Sequence, residues 1–205
     1  MAKIKLTKGE LKRQRDSLKQ FRHYLPTLQL KKQQLQMKIL EARKLIEVRQ
    51  KVLQEKVEEI SRWVGLLADP TVDLKAWITP ESVLVDTVNI AGANVPVFNK
   101  IHFKQTDYDF YSTPLWIDIG IEELRLMVTY FAEIDIIKRR IAVLEHELRI
   151  TTQRVNLFEK IKIPECLDNI RIIRIYLGDQ QANAVGVSKV AKKKIEEKNL
   201  IEVMA

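Results

Sequence analysis

The chain has 205 residues, 46% of them hydrophobic and 30% charged, with a formal net charge of +8. This length favours one domain or two, and the absence of an apolar run of about 18 residues argues against a membrane-spanning helix. The one cysteine, Cys166, cannot form an intramolecular disulfide and fits a reducing compartment. The basic N-terminus is not followed by the apolar stretch of a secretory signal.

The basic charge is concentrated toward the two termini. Residues 1–32 contain ten Lys or Arg and two acids, whereas residues 68–120 contain three Lys or Arg and seven acids. A chain that folds back on itself would therefore be an electrically polar rod.

A 3–4 spacing of apolar residues runs from Leu11 to Leu67, and we call these positions the N-terminal seam. Thirteen of its seventeen positions are apolar. A 3.5-residue period over about eight heptads predicts a left-handed coiled coil. We predict a shaft helix over 1–68, kinked at Pro26 and ending just before Pro70. The seam positions are 11, 14, 18, 21, 25, 28, 32, 35, 39, 42, 46, 49, 53, 56, 60, 63 and 67.

Four seam positions are polar: Gln14, Lys32, Arg49 and Lys56. Polar residues in a coiled-coil seam either fix its register or mark places where a third protein packs. Both interpretations stay open at this point.

The middle region, residues 69–120, changes period. A short helical turn is expected around Trp77, and alternating residues flank a Gly/Asn turn within about 82–104, which predicts a β-hairpin. Gly92 is placed in the turn, and Pro96 at a sheet edge or a bulge. An isolated hairpin is marginally stable, so we expect it to lean on the shaft or on a partner. An acidic and aromatic loop follows at 107–111.

A second seam predicts a C-terminal shaft helix over 121–205, with a stutter near residue 132, where Phe131 is out of phase. The segment 178–205 has a weaker pattern, with a short basic helix near 189–200 as its tail. An antiparallel hairpin that pairs Leu67 with Ile121 places Pro26 beside Pro164. The expected fold is mostly α: a long antiparallel two-helix coiled coil with the hairpin and short helices in the middle.

The sequence contains no recognisable catalytic, metal or cofactor site. The three histidines lack metal-ligand spacing with other ligands, Asp107 and Asp109 lack the further ligands of a calcium loop, and no glycine loop suits a phosphate. Cys166 has no nucleophile context. We therefore expect a non-catalytic protein without a cofactor or a metal.

Two clusters of basic residues are the candidate binding residues. Each has three interpretations: a solvated helix face, a patch for nucleic acid or anionic lipid, or a docking surface for an acidic protein partner. The excess of cations in the first 32 residues exceeds what solvation requires. The residues are Lys12, Arg13, Arg15, Lys19 and Arg22 in the first cluster and Lys192, Lys193 and Lys194 in the second.

Four segments resemble the D subunits of the V-type and A-type rotary ATPases. These are Thr27–Leu35, Ile90–Pro96, the stretch from Arg154 to Pro164 and Lys189–Lys194. The third is the most distinctive, and its motif residues are Arg154, Asn156, Glu159 and Pro164. The resemblance covers essentially the whole chain. The sequence departs from the family pattern in three places. Lys32-Gln33 stands where an Arg-Asp pair is usual, Pro26 is not a feature of the broader family, and the stretch between Gly178 and Gly186 is less helical in pattern than usual.

The resemblance implies a central-stalk rotor subunit that transmits torque between ion translocation and ATP synthesis or hydrolysis. It implies that the end bearing both termini inserts into the hexamer of catalytic and regulatory subunits. The other end would join the funnel-shaped subunit on the membrane rotor ring, with the small F subunit at the side. It also implies a cytoplasmic protein, peripheral to the membrane, that neither inserts into the bilayer nor binds nucleic acid.

Two alternatives remain. The γ subunit of F-type ATP synthases shares the two-helix shaft, but its middle holds a full α/β domain for which 69–120 is too short. The second alternative is a basic coiled-coil adaptor that binds nucleic acid or a membrane surface. Strong salt-dependent DNA binding would favour this alternative.

Overall fold

The computed structural model of the chain describes residues 4–68, 74–105, 111 and 113–204. The fold is mostly α-helical with a two-stranded hairpin in the middle, which confirms the predicted class. The predicted loop at 107–111 lies outside the described residues except for Tyr111. The elements are α1 (Lys8–Ser61), a 3₁₀-helix (Val64–Ala68), α2 (Leu74–Ile78), β1 (Pro80–Ile90), β2 (Ala93–Phe103), α3 (Ile117–Asn156), a π-helix (Leu157–Lys162) and α4 (Ile163–Met204).

All seventeen positions of the N-terminal seam are buried or half-buried, and none is exposed. The spacing read from the sequence therefore identified the packed face of α1, which holds fifteen of these positions, and of the segment that follows it. The α-helix itself ends at Ser61, before the predicted end. Arg62 and Trp63 donate backbone hydrogen bonds three residues back, to Glu59 and Ile60, so the last turn tightens toward the 3₁₀-helix.

The chain divides into two compact units. Unit 1 comprises Met1–Gln29 and Gln153–Ala205, and unit 2 comprises Leu30–Thr152. Each unit contains one part of α1 paired with a segment from the C-terminal half of the chain.

In unit 1, α1 runs antiparallel to the π-helix and α4. The Asn169 amide donates to Gln14 Oε1 at 3.5 Å, and the rings of Phe21 and Phe158 lie 5.0 Å apart. The predicted register was wrong, because it placed Phe21 opposite residue 167. Pro26, five residues after Phe21, therefore lies near residue 153 rather than beside Pro164, and the two prolines do not share a level.

The π-helix explains how the second seam changes phase. Before it, Thr151 and Val155 are buried; after it, the buried residues Cys166, Ile170 and Ile173 fall one position later than a strict 3–4 spacing from Val155 would place them. A π turn accommodates one extra residue, and Ile163 N–H donates to Phe158 O, five residues back. α3 continues as α-helix through residue 132, and Phe131, the residue read as out of phase, is 54% exposed.

The weak pattern after residue 177 does not interrupt α4, which continues to Met204. Residues 178–197 are all exposed, and a Cβ placed on Gly178 or Gly186 would have no neighbour within 4 Å. The prediction of a separate short helix here was wrong. Each glycine lowers the stability of the helix by only about 1 kcal/mol relative to alanine, which is too little to end a helix whose other residues favour it.

In unit 2, α1 and α3 also run antiparallel. Two of the polar seam residues form ion pairs across it: Arg49 Nε lies 3.0 Å from Glu133, and Lys56 Nζ lies 3.4 Å from Glu123. These contacts, with Gln14–Asn169 in unit 1, support the register-fixing interpretation of three of the four polar positions, since each meets a polar partner on the facing helix.

The hairpin has a two-residue turn at Ala91 and Gly92, whose φ angles are 51° and 82°. Positive φ at both positions is the geometry of a type I′ turn, which suits the right-handed twist of a hairpin. Ala93 and Val95 pack with Leu35, Ile39 and Leu144 in one buried cluster. The hairpin thus leans on both helices of unit 2, as expected.

Pro96 lies opposite Thr87, away from the two irregularities in the ladder, which fall between Pro80 and Ser82 and between Leu84 and Val85. Over the residues that the structure describes, the sheet has two strands, so each strand is an edge strand. Pro96 therefore occupies an edge position and not a bulge.

Within the described part of the chain, every helix falls short of the apolar length needed to cross a bilayer.

Candidate partner-binding surfaces

A basic groove in unit 1 lies between α1 and α4 and encloses about 750 Å³. Five of its nine lining residues are cationic and none is acidic. Its floor is apolar and is supplied by both helices. The cations are Arg15, Lys19, Arg22, Arg171 and Arg174, and the apolar residues are Leu18, Leu167, Ile170 and Ile175.

Helical spacing brings these cations together. Arg15, Lys19 and Arg22 follow an i, i+4, i+7 pattern along one face of α1, and Arg171 and Arg174 are three apart on α4. Among the described residues, no carboxylate lies within ion-pair distance of any of the five. The five cations therefore lack a close ion-pair partner there, and their common charge favours an anionic partner in the groove.

The other predicted basic residues lie outside this groove. Lys12 and Arg13 are exposed on α1, and Arg13 lies 3.8 Å from Glu10. Lys192, Lys193 and Lys194 are exposed on α4, and the first two lie 3.7 Å from Glu196 and Glu197.

Sequence reasoning did not single out Arg171 and Arg174 as binding residues. The signal was present, because both flank the buried Ile173 and so lie beside the seam. Recognising them required the correct register of α4 against α1.

The four family-motif residues surround the π-helix. Arg154 and Asn156 precede it, Glu159 lies within it and Pro164 follows it. All four are exposed. Between them, Phe158 points inward to Phe21. The motif thus coincides with the local change in helix geometry, and its polar groups face outward, where a partner can reach them.

The hairpin turn is anchored by polar contacts as well as by its core. Gly92 N–H donates to Asn89 Oδ1 at 3.0 Å, and the Asn89 amide donates to Asn94 Oδ1 at 2.8 Å. Lys31 Nζ lies 3.5 Å from the position that a Gly92 Cβ would take and 3.9 Å from Glu147. These contacts connect the turn to α1 and α3.

An apolar cup in unit 2, which we call the tryptophan cup, forms where the 3₁₀-helix meets the start of α3. It encloses about 190 Å³ and is lined by Trp63, Leu66, Trp116, Ile119 and Gly120. A Cβ on Gly120 would lie 3.0 Å from the Trp116 ring, so only glycine lets the ring pack this closely. Ile119 in its lining is 68% exposed, and Leu115, next to Trp116 in the chain, is 98% exposed. Sequence reasoning did not identify this surface.

The described residues contain no cluster of three or more potential metal ligands. The pKa of the Cys166 thiol is raised by burial and, secondarily, by Glu165, so the thiol stays protonated at neutral pH. A protonated buried thiol is a poor nucleophile and a poor metal ligand.

The sequence matches the family model that describes the D subunit of ATP synthase over residues 10–193. It is 45% identical over 199 residues to the D subunit of a V-type ATP synthase of Borreliella burgdorferi, covering 97% of this chain and 98% of that protein. It is 34% identical to the corresponding protein of Chlamydia pneumoniae, with coverage of 94% and 93%, and 35% identical to that of Chlamydia caviae, with 96% of each chain covered. The chain therefore belongs to the family of ATP synthase D subunits and is a stalk subunit of a V-type rotary ATPase.

Proposed function

We propose that this chain is the non-catalytic central rotor of its complex, and that it transmits torque between a membrane ion-translocating ring and a catalytic hexamer. The observation that carries the proposal is the N-terminal seam, whose seventeen positions, fifteen of them in α1, are all at least half-buried. A shaft that transmits torque must resist sliding between its helices. The cross-helix contacts Gln14–Asn169, Arg49–Glu133 and Lys56–Glu123 oppose such sliding.

The basic groove is the proposed contact with the hexamer of catalytic and regulatory subunits. Five cations that form no ion pair among the described residues attract an acidic surface over a range of about 10 Å at 0.1 M salt. The apolar floor adds contact area once the partner has docked. Lys12, Arg13 and Lys192–Lys194 are the proposed outer part of this interface, where charge mainly accelerates association.

The tryptophan cup is the proposed contact with the funnel-shaped subunit on the membrane rotor ring. Its lining is apolar and includes the exposed Ile119, and the exposed Leu115 extends it, which is typical of a surface covered by another protein. The small F subunit is the proposed partner at the side of the shaft. The protein would then be cytoplasmic and peripheral to the membrane as part of the complex.

The adaptor alternative is less favoured, because relatives at 45% identity over nearly the whole chain are named as ATP synthase subunits. Salt-dependent binding of the isolated chain to DNA, stronger than its binding to the hexamer, would reverse this preference.

The test compares two double charge reversals in binding to a reconstituted nucleotide-binding hexamer. Arg171→Glu with Arg174→Glu changes the groove, and Lys44→Glu with Lys51→Glu makes the same charge change on exposed residues of α1 in unit 2. We expect the groove variant to bind at least about tenfold more weakly at low salt, and the difference to shrink as salt rises. Equal affinities for the two variants would refute the groove as the contact, and failure of the unaltered chain to bind the hexamer would refute the proposed function.

A further inference from the structure

The outer edge of β1 is open over the tip-proximal part of the hairpin. In the described part of the chain the sheet has only two strands, and every residue of β1 from Glu81 to Asn89 is exposed. The ladder irregularity between Leu84 and Val85 limits the regular stretch to residues 85–90.

Pro96 reveals which backbone groups point outward. It pairs with Thr87, and a proline has no N–H to donate. Thr87 and Pro96 therefore form a non-hydrogen-bonded pair, in which the N–H and C=O of Thr87 point away from β2. By the same alternation Val85 and Asn89, two residues to either side, also direct their backbone groups outward.

The two edges of the hairpin differ in how they are protected. On β2, Pro96 removes the central outward donor, which is a common way to prevent pairing with another strand. The β1 edge keeps its three outward donors and is rich in β-branched residues. Its apolar side chains Val83, Val85 and Val88 are 39–46% exposed. Asp86 is the one charged residue within the regular stretch.

We propose that the β1 edge receives an extended segment of another subunit of the complex, which adds a third strand to the hairpin. Three outward N–H groups and three outward C=O groups specify an extended backbone as the occupant, because a helix has no free groups along its length to pair with them. The exposed valines favour alternating apolar residues in that segment. The identity of the partner assembly rests on the proposed function; the edge geometry does not.

The test is residue-resolved amide hydrogen exchange, comparing the isolated chain with the assembled complex. The inward amides of Val88 and Ile90 pair with β2 and should be protected in both states. The outward amides of Val85, Thr87 and Asn89 should exchange at least about tenfold more slowly in the complex, because strand addition gives each a hydrogen-bond partner.

Thr87→Pro and Thr87→Ala form the matched pair of variants. Proline at 87 removes the central outward donor without removing a bond to β2, as Pro96 does on the other strand, whereas alanine keeps the donor. We expect the proline variant alone to abolish the protection of Val85 and Asn89 in the complex.

Unchanged exchange at Val85, Thr87 and Asn89 in an intact complex would refute strand addition and leave the rotor assignment standing. Protection of these amides in the isolated chain that grows with its concentration would show pairing between two copies, and would overturn the proposed occupant. Failure of the chain to assemble at all would refute the proposed function and, with it, a partner from that complex.

Discussion

Leu144→Ala tests whether the hairpin and the two helices of unit 2 share one core. Leu144 is 0% exposed and packs in the cluster with Leu35, Ile39, Ala93 and Val95. Shortening leucine to alanine removes three carbons from a fully buried site, worth about 2 kcal/mol of transfer free energy. The cavity left between a strand and two helices adds to this, so we expect the free energy of unfolding to fall by about 3 kcal/mol.

The measurement is urea denaturation followed by circular dichroism at 222 nm, with Leu40→Ala as the control. Leu40 is 57% exposed on the same helix as Leu35, and its truncation should cost less than about 1 kcal/mol. The double variant Leu35→Ala, Leu144→Ala should lose less than the sum of its single variants, because the two side chains share one cavity.

Equal losses for Leu144→Ala and Leu40→Ala would refute the proposed core. So would strict additivity in the double variant, since that result would mean that Leu35 and Leu144 do not touch. Faster exchange of the Val95 amide in Leu144→Ala would locate the loss at the hairpin contact.

Three further predictions concern glycine, pH and thiol reactivity. Gly92→Ala should lower the unfolding free energy by about 1 kcal/mol because its φ is +82°, whereas Gly178→Ala should raise it by about 0.5–1 kcal/mol; losses of equal size in chemical denaturation would contradict the turn geometry. The hydrogen bond from Lys56 lowers the pKa of Glu59 from its usual 4.5. The Lys56–Glu59 pair therefore stabilises the folded chain above pH 4.5, and this contribution is lost as the pH falls through the lowered pKa. The stability difference between the unaltered chain and Lys56→Met should therefore stay level from pH 6 to 8 and shrink below pH 4.5; a difference independent of pH would refute the pair. Iodoacetamide at pH 8 should alkylate Cys166 at least about 100-fold more slowly in the native chain than in urea, as followed by mass spectrometry, because the thiol is 5% exposed and its pKa is raised; similar rates would show that it is not buried.

The sequence alone determined the packed face of α1 and the position of the hairpin turn. Both are local properties: a 3.5-residue period defines one face of a helix, and Ala91-Gly92 between alternating strands suits a turn with two positive φ angles. The resemblance to the D subunits of rotary ATPases also rested on local segments, and the comparisons confirm it.

The tertiary structure decided the features that depend on one element meeting another. The register of α4 against α1 is set by side-chain contacts such as Phe21 with Phe158, which spacing along a single helix does not specify. Because the register was not known, the prolines were wrongly placed side by side, and Arg171 and Arg174 were not recognised as part of the basic groove. The tryptophan cup was missed for the same reason, since Trp63 and Trp116 are distant in sequence and meet only through tertiary packing.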